Sequence, residues 1–179
     1  LGGFMAMTGK KVLLLDFDLR KPKMHFAFGH ENTGDGVSAM LSGRKKWQEC
    51  VVHSTIDNLS YIPAGVTPPN PSELINSNRT DEIISEIQEV YDEIIIDTPP
   101  VGLVSDGIKV LNFVDYPIYI FRTGYSKKHF INELNNINDF DKIKNVYVIL
   151  NSENTSTHKY GYGYGYYEQD QKSKGLFKK

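Results

Sequence analysis

The chain has 179 residues, 40% hydrophobic and 23% charged, with a formal net charge of −2. At roughly 100–200 residues per domain this is one domain with room for a tail. The composition excludes wholesale disorder, and the near-neutral balance gives no reason to expect nucleic acid as a partner. The single cysteine, Cys50, excludes an internal disulfide framework and fits a reducing compartment.

Short apolar runs alternate with helical patterns along the chain, the mark of an α/β fold with a mostly parallel sheet and helices on both faces. Val12-Leu13-Leu14-Leu15 is continuous and apolar, as expected of a strand covered on both sides. Gly34-Asp35-Gly36 is a turn before the short apolar segment Val37 to Leu41, and Leu59 to Pro63 is a weaker strand candidate. Asn70-Pro71-Ser72-Glu73 reads as an N-cap, a proline at the first helical position and an acidic third position, which starts a helix. Ile83, Ile84, Ile87, Val90 and Tyr91 then form a single apolar face. Ile94-Ile95-Ile96 is a second buried strand. Ser105 to Asn112 and Ser126 to Phe140 are helix candidates, and strands are expected over Tyr116 to Phe121 and Val146 to Leu150. Trp47 is expected to serve packing and Cys50 to be structural. From Ser152 onward the apolar pattern fades into Ser, Thr, Tyr, Gly and Lys. The expected division is therefore a domain over 1–151 and a flexible tail over 152–179.

Ligands of open parallel sheets sit beyond the carboxyl ends of the strands. Two strands here run into carboxylates: Asp16-Phe17-Asp18-Leu19-Arg20-Lys21-Pro22 and Asp97-Thr98-Pro99-Pro100. Grouped carboxylates repel one another unless a cation neutralises them, and an oxygen-rich site suits Mg²⁺. Magnesium binds through one or two carboxylates plus waters and substrate phosphates, so a nucleotide is the natural ligand. Taken singly, Asp16 or Asp97 could merely end a strand as a turn residue; the two together, with Asp18 and the double proline, point to a site.

Val12 to Pro22 resembles the second Walker motif, A-prime, of bacterial protein-tyrosine kinases, and Ile94 to Pro100 resembles their Walker B motif. Ala64-Gly65 with Pro68-Pro69-Asn70-Pro71-Ser72-Glu73-Leu74 is similar to the loop and helix start between those motifs. Tyr160, Tyr162, Tyr164, Tyr166 and Tyr167 match the family's C-terminal autophosphorylation tail. The resemblance implies a P-loop NTPase-like fold of the deviant Walker type, with ATP and Mg²⁺ as cofactors. It implies an enzyme that transfers the γ-phosphoryl of ATP to tyrosine and regulates capsule or exopolysaccharide synthesis. By position, Asp16 is the candidate base or orienter of the tyrosine hydroxyl, Asp18 and Asp97 the candidate Mg²⁺ ligands, and Arg20 a charge near the phosphates or a subunit contact. Asn151 stands where related ATPases place an asparagine against adenine. The implied partners are further copies in a ring that phosphorylate one another, a membrane polysaccharide co-polymerase and a tyrosine phosphatase. The implied location is the cytoplasm at the inner face of the plasma membrane.

One element of the family pattern is missing. No Gly-x-x-x-x-Gly-Lys-Ser/Thr segment exists in the chain; Gly9-Lys10 is followed by Lys11. Leu1 to Met7 therefore resembles the end of the phosphate-loop helix and Thr8 to Lys11 the turn that closes it. The phosphate loop and the first strand are expected upstream of Leu1. Without that strand an apolar strip of the sheet should be exposed, and ATP binding by the 179 residues should be poor. Two alternatives stay open at this stage: a cell-division or partition-type ATPase, and a non-catalytic phosphorylated adaptor.

Overall fold

The computed structural model of the chain describes residues 1–29, 34–99, 106–111, 113–127, 130–132, 134–135 and 146–152. The chain opens with helix α1 (Gly2–Met7) and enters strand β1 (Val12–Asp16) through a turn in which Gly9 takes a positive φ of 90°. β1 lies inside a four-stranded sheet of order β2–β3–β1–β4, where β2 is Val52–His53, β3 is Leu59–Ile62 and β4 is Glu93–Asp97. β1 runs parallel to both neighbours, while β2 lies antiparallel on β3. The mostly parallel α/β architecture expected from the sequence is thus present; the two-residue β2 was not foreseen.

Successive residues of β1 face opposite sides of the sheet, as a strand's period of two requires. Leu13 and Leu15 belong to the main core, with Ile62 and with residues of three helices that follow the short α2 (Met24–Ala27): α3 (Val37–Leu41), α4 (Pro71–Ile75) and α5 (Asn78–Gln88). Val12 and Leu14 belong to a smaller core with Ala6 of α1 and Leu59. Helices therefore cover both faces. The smaller layer is thin because α1 comes very close: a Cβ at Gly2 would stand 2.8 Å from Leu14 Cδ2. β4 differs from the expectation for Ile94-Ile95-Ile96. It is only half-buried, because among the described residues β1 is its one sheet neighbour.

The helix expected from Asn70 onward is two helices, broken at Asn76-Ser77. Asn70 occupies the N-cap position, yet its side chain does not cap; its Nδ2 donates to Glu73 Oε2 at 2.7 Å. Ile83, Ile84 and Ile87 are buried on one face of α5, whereas Val90 lies beyond the helix end and is exposed. Helix α6 (Asp106–Leu111) matches the expected segment after β4. Its Lys109 Nζ donates to the carbonyls of Asn76 and Ser77 at 3.0 and 2.8 Å and pairs with Asp81 at 3.2 Å. That contact holds α6 against the α4–α5 junction. A 3-10 turn, Trp47–Cys50, packs on the same core. Trp47 is buried there and donates to Glu86 Oε2 at 2.9 Å, and burial pushes the Cys50 thiol up.

Strands β5 (Ile118–Arg122) and β6 (Tyr147–Asn151) form a separate parallel pair. β5 begins two residues after the expected start, since Pro117 has no N–H to give; its carbonyl accepts the Tyr147 N–H at 2.8 Å. Ile118, Ile120, Val148, Ile149 and Leu150 are all exposed on this pair. Of the helix candidate Ser126 to Phe140, residues 130–132 and 134–135 are helical and much of the rest lies outside the described residues. The five tail tyrosines also lie outside them. Among the described residues no helix is long and apolar enough to cross a membrane.

Candidate functional site

The carboxylates come together through strand register. Asp16 ends β1 directly opposite Asp97, which ends β4, and one residue further the Phe17 N–H donates to the Asp97 carbonyl at 2.8 Å. The chain after β1 then alternates. Phe17 and Leu19 are buried in the core, Asp18 is half-buried, and Arg20 is exposed. Two apolar anchors thus pin a short loop so that Asp18 and Arg20 face away from the core.

Asp16 is 0% exposed. Its Oδ1 accepts the Asp18 N–H at 3.2 Å and its Oδ2 accepts the Met24 N–H at 3.3 Å, so one carboxylate ties both ends of the loop. Burial pushes the Asp16 carboxyl up to about 6. The Met24 N–H opposes this, while the Asp97 and Asp18 charges reinforce it. Asp97 is exposed; desolvation at the strand end raises its carboxyl, and the Asp18 charge adds to that. Asp18 closes its own turn, its Oδ1 accepting the Lys21 N–H at 3.0 Å. Asp18 and Asp97 thus lie within electrostatic reach of each other at the carboxyl end of the sheet. That arrangement fits a cation held by two carboxylates and completed by other oxygen donors. Among the described residues no three His, Cys, Asp or Glu side chains gather into a metal cluster.

Arg20 reaches across to the next strand's connection, where its Nη2 donates to Ser72 Oγ at 2.7 Å in the first turn of α4. The loop that leads to α4 is itself fixed. Val37 and Ser38 donate their N–H groups to the Pro63 and Ala64 carbonyls at 2.8 and 2.9 Å. Gly36, where φ is an ordinary extended −167°, is required by space: a Cβ there would stand 2.1 Å from the Pro63 oxygen and 2.6 Å from the Gly65 nitrogen. Ser72 and Gly36 were both missed as site-supporting residues. Asn-Pro-Ser-Glu registered only as a helix start and Gly-Asp-Gly only as a turn, and the contact between distant loops leaves no local pattern. Asn151, by contrast, lies on the β5–β6 pair opposite Arg122 rather than on the carboxylate-bearing sheet. Its Oδ1 accepts the Ser152 N–H at 2.8 Å, so its side chain turns back on its own backbone.

A parallel α/β sheet with acidic residues at adjacent strand ends is compatible with a P-loop NTPase-like fold, and comparison with known proteins identifies the class. A family model described as an AAA domain matches residues 1–148. The tyrosine-protein kinase CpsD of Streptococcus agalactiae serotype Ia is 33% identical over 156 residues, covering 86% of this chain and 67% of that protein. The solved kinase domain of the Escherichia coli tyrosine kinase ETK superposes with a TM-score of 0.80 at 30% identity, covering 93% of this chain and 65% of that one. At the level of fold alone, the Mycobacterium smegmatis cobyrinic acid a,c-diamide synthase, solved with an ATP analog and magnesium, aligns with a TM-score of 0.64 at 20% identity over 83% of this chain and 63% of that one. The chain belongs to the bacterial tyrosine-protein kinase family, as a P-loop domain. It spans between 15% and 67% of the length of curated relatives that it matches.

Proposed function

We propose that this chain supplies the acidic half of an ATP-dependent protein-tyrosine kinase site. The observation that carries the reading is the register of β1 and β4, which sets Asp16 beside Asp97 with Asp18 two residues beyond. Phosphoryl transfer depends mainly on positioning and on neutralising charge, and both are what this cluster is built for. Asp18 and Asp97 would hold Mg²⁺, which when bound offsets the negative charge of the ATP phosphates. Arg20, exposed two residues after Asp18 on the same loop, reaches across to Ser72 of α4. Beside the expected role of base or orienter of the tyrosine hydroxyl, the burial and the two backbone hydrogen bonds of Asp16 support a third role: it holds the loop that carries Asp18 and Arg20.

The substrate we assign is the chain's own tail. Tyr160, Tyr162, Tyr164 and Tyr166 alternate with glycine and Tyr167 follows directly, which suits an extended peptide entering a neighbouring copy's site. Each phosphate adds about −1.5 to −2 charges at neutral pH, so modification would disfavour a tail docked near carboxylates. A ring of copies, control of capsule or exopolysaccharide export with a membrane co-polymerase, and reversal by a tyrosine phosphatase at the cytoplasmic face complete the reading.

The 179 residues hold no Gly-x-x-x-x-Gly-Lys-Ser/Thr segment, so they offer no loop of backbone N–H groups and lysine for the β- and γ-phosphates. Calorimetric titration of the chain with Mg-ATP is expected to show only weak binding, with Kd at or above about 1 mM. Micromolar binding would mean that the acidic half suffices for ATP. Tyrosine phosphorylation of the protein in its native cells, followed with anti-phosphotyrosine antibody, should disappear on Asp97→Asn. Undiminished phosphorylation in that variant would sink the kinase assignment of this site.

A further inference from the structure

We propose that Lys21 and Lys23 recognise the acidic residues that follow the tyrosine run, and so seat the tail of a second copy at the carboxylate site. Both lysines are exposed, one on each side of Pro22, whose ring fixes its own φ. Neither ammonium has a partner among the described residues. Their backbone is nevertheless held. The Lys21 N–H donates to Asp18 Oδ1 at 3.0 Å, and the Met24 N–H, one residue past Lys23, donates to Asp16 Oδ2 at 3.3 Å. Two free cations are therefore carried on a stretch of chain whose amides the site carboxylates themselves hold. In the helix that follows, Phe26 of α2 is 72% exposed and offers a ring of the kind that tyrosines pack against.

The tail supplies the complement. Residues 160–171 contain the five tyrosines, the carboxylates of Glu168 and Asp170, and no lysine or arginine. Asp16, Asp18 and Asp97 repel such a peptide, so its acidic end needs cations close to the site. Arg20 is engaged with Ser72, whereas Lys21 and Lys23 stand free. Glu168 and Asp170 are two residues apart, the same separation as Lys21 and Lys23. In an extended peptide residues two apart face the same way, so both carboxylates are presented together. With them on the lysines, Tyr166 and Tyr167 are the first tyrosines offered to the site. The proposal rests on the reading of the tail as substrate.

Binding and turnover test it separately. A nitrogen-15-labelled 179-residue chain with Glu168→Gln and Asp170→Asn, so that its own tail does not compete, is titrated with the peptide of residues 160–171. The Lys21, Lys23 and Met24 amides should shift saturably. A peptide carrying the same two substitutions should bind about fivefold more weakly at low ionic strength, the size of two exposed ion pairs, and the gap should close in about 0.5 M salt. Lys21→Gln with Lys23→Gln should weaken the acidic peptide by the same factor and leave the neutral one unchanged. Equal affinities for the two peptides, or shifts confined to other residues, overturn the proposal. If the lysines instead govern binding to phosphatidylglycerol vesicles while the peptides bind alike, they serve an anionic membrane and the proposal falls. Purified from its native cells, the protein should phosphorylate the acidic peptide with a KM about fivefold below that of the neutral one, at equal kcat. Phosphorylation of neither peptide, with the binding difference intact, overturns the kinase reading alone and leaves the lysines as an acidic-peptide site.

Discussion

β1 and β6 carry nearly the same apolar run, Val-Leu-Leu-Leu-Asp against Tyr-Val-Ile-Leu-Asn, and end at opposite extremes of burial. In β1 the leucines at 13 and 15 are fully buried between helices and neighbouring strands; in β6 every residue is exposed. Hydropathy is therefore not what separates them. β1 has a parallel partner on each edge and helices on each face, while β6 pairs with β5 alone among the described residues. Burial belongs to the assembly of elements. Of the three site carboxylates, Asp16 ends the strand that the assembly holds most firmly, Asp18 stands two residues beyond it, and Asp97 ends the half-buried β4. That suits a site whose groups must stay in place against their own repulsion.

The largest test of this contrast removes packing from the buried strand. Leu15→Ala should cost about 4 kcal/mol, as lost transfer energy and an unfilled cavity add together. Chemical denaturation of the 179-residue chain measures it, and a loss below about 1 kcal/mol would mean that β1 is no better packed than β6. Next comes Gly36→Ala, expected to cost about 3 kcal/mol, because the new methyl would meet backbone rather than a movable side chain.

The strong elements were legible in the residues themselves. Val12 to Leu15 announced a buried strand, and the carboxylates just after it and after Ile96 announced a site, because strand ends are where parallel sheets bind. What the sequence hid were relations between distant segments. Ile94-Ile95-Ile96 looks as buried as β1 until its edge position is known. Asn76-Ser77 splits a helix whose apolar face runs on in sequence beyond it, and Val90, which continues the pattern, falls past the helix end. Ser72 and Gly36 act through contacts with loops 52 and 27 residues away, and no periodicity encodes such contacts.

The acidic cluster should make the well-packed sheet less stable at neutral pH than slightly below it. Asp16 in the folded chain titrates at about 6 against an ordinary 3.8, so between those values the folded state holds the proton more tightly than the unfolded one. Stability attributable to Asp16 therefore rises as pH falls from 7 toward 5, by about 1 kcal/mol, and Asp97 shifts in the same direction. Melting curves recorded in EDTA at pH 7, 6 and 5 measure the trend, and the difference from Asp16→Asn isolates the Asp16 share. An identical trend in that variant would show that burial of Asp16 is not its source.

The smallest effect is expected on the exposed pair, and it sharpens the contrast because the chemistry removed is the same. Ile118 and Ile120 lie on one side of β5, at 44% and 60% exposure, while Tyr119 and Phe121, which alternate with them, are half-buried. Replacing both isoleucines with threonine keeps the branched shape that strands favour and removes apolar surface that nothing in the described residues covers. Folding stability should change by less than about 0.5 kcal/mol, the usual range for surface positions. Self-association should fall measurably, since contiguous exposed apolar residues drive it. Sedimentation velocity of the chain at several concentrations reads the second effect and denaturation the first. A stability loss above about 1 kcal/mol would show that these side chains already have a packed partner within the chain. An unchanged sedimentation profile would move the source of any association to the apolar residues of α1, where Phe4 and Met7 are 78% and 75% exposed. The two outcomes separate a face that is merely uncovered from one that is sticky, a distinction β1, buried on both sides, never has to make.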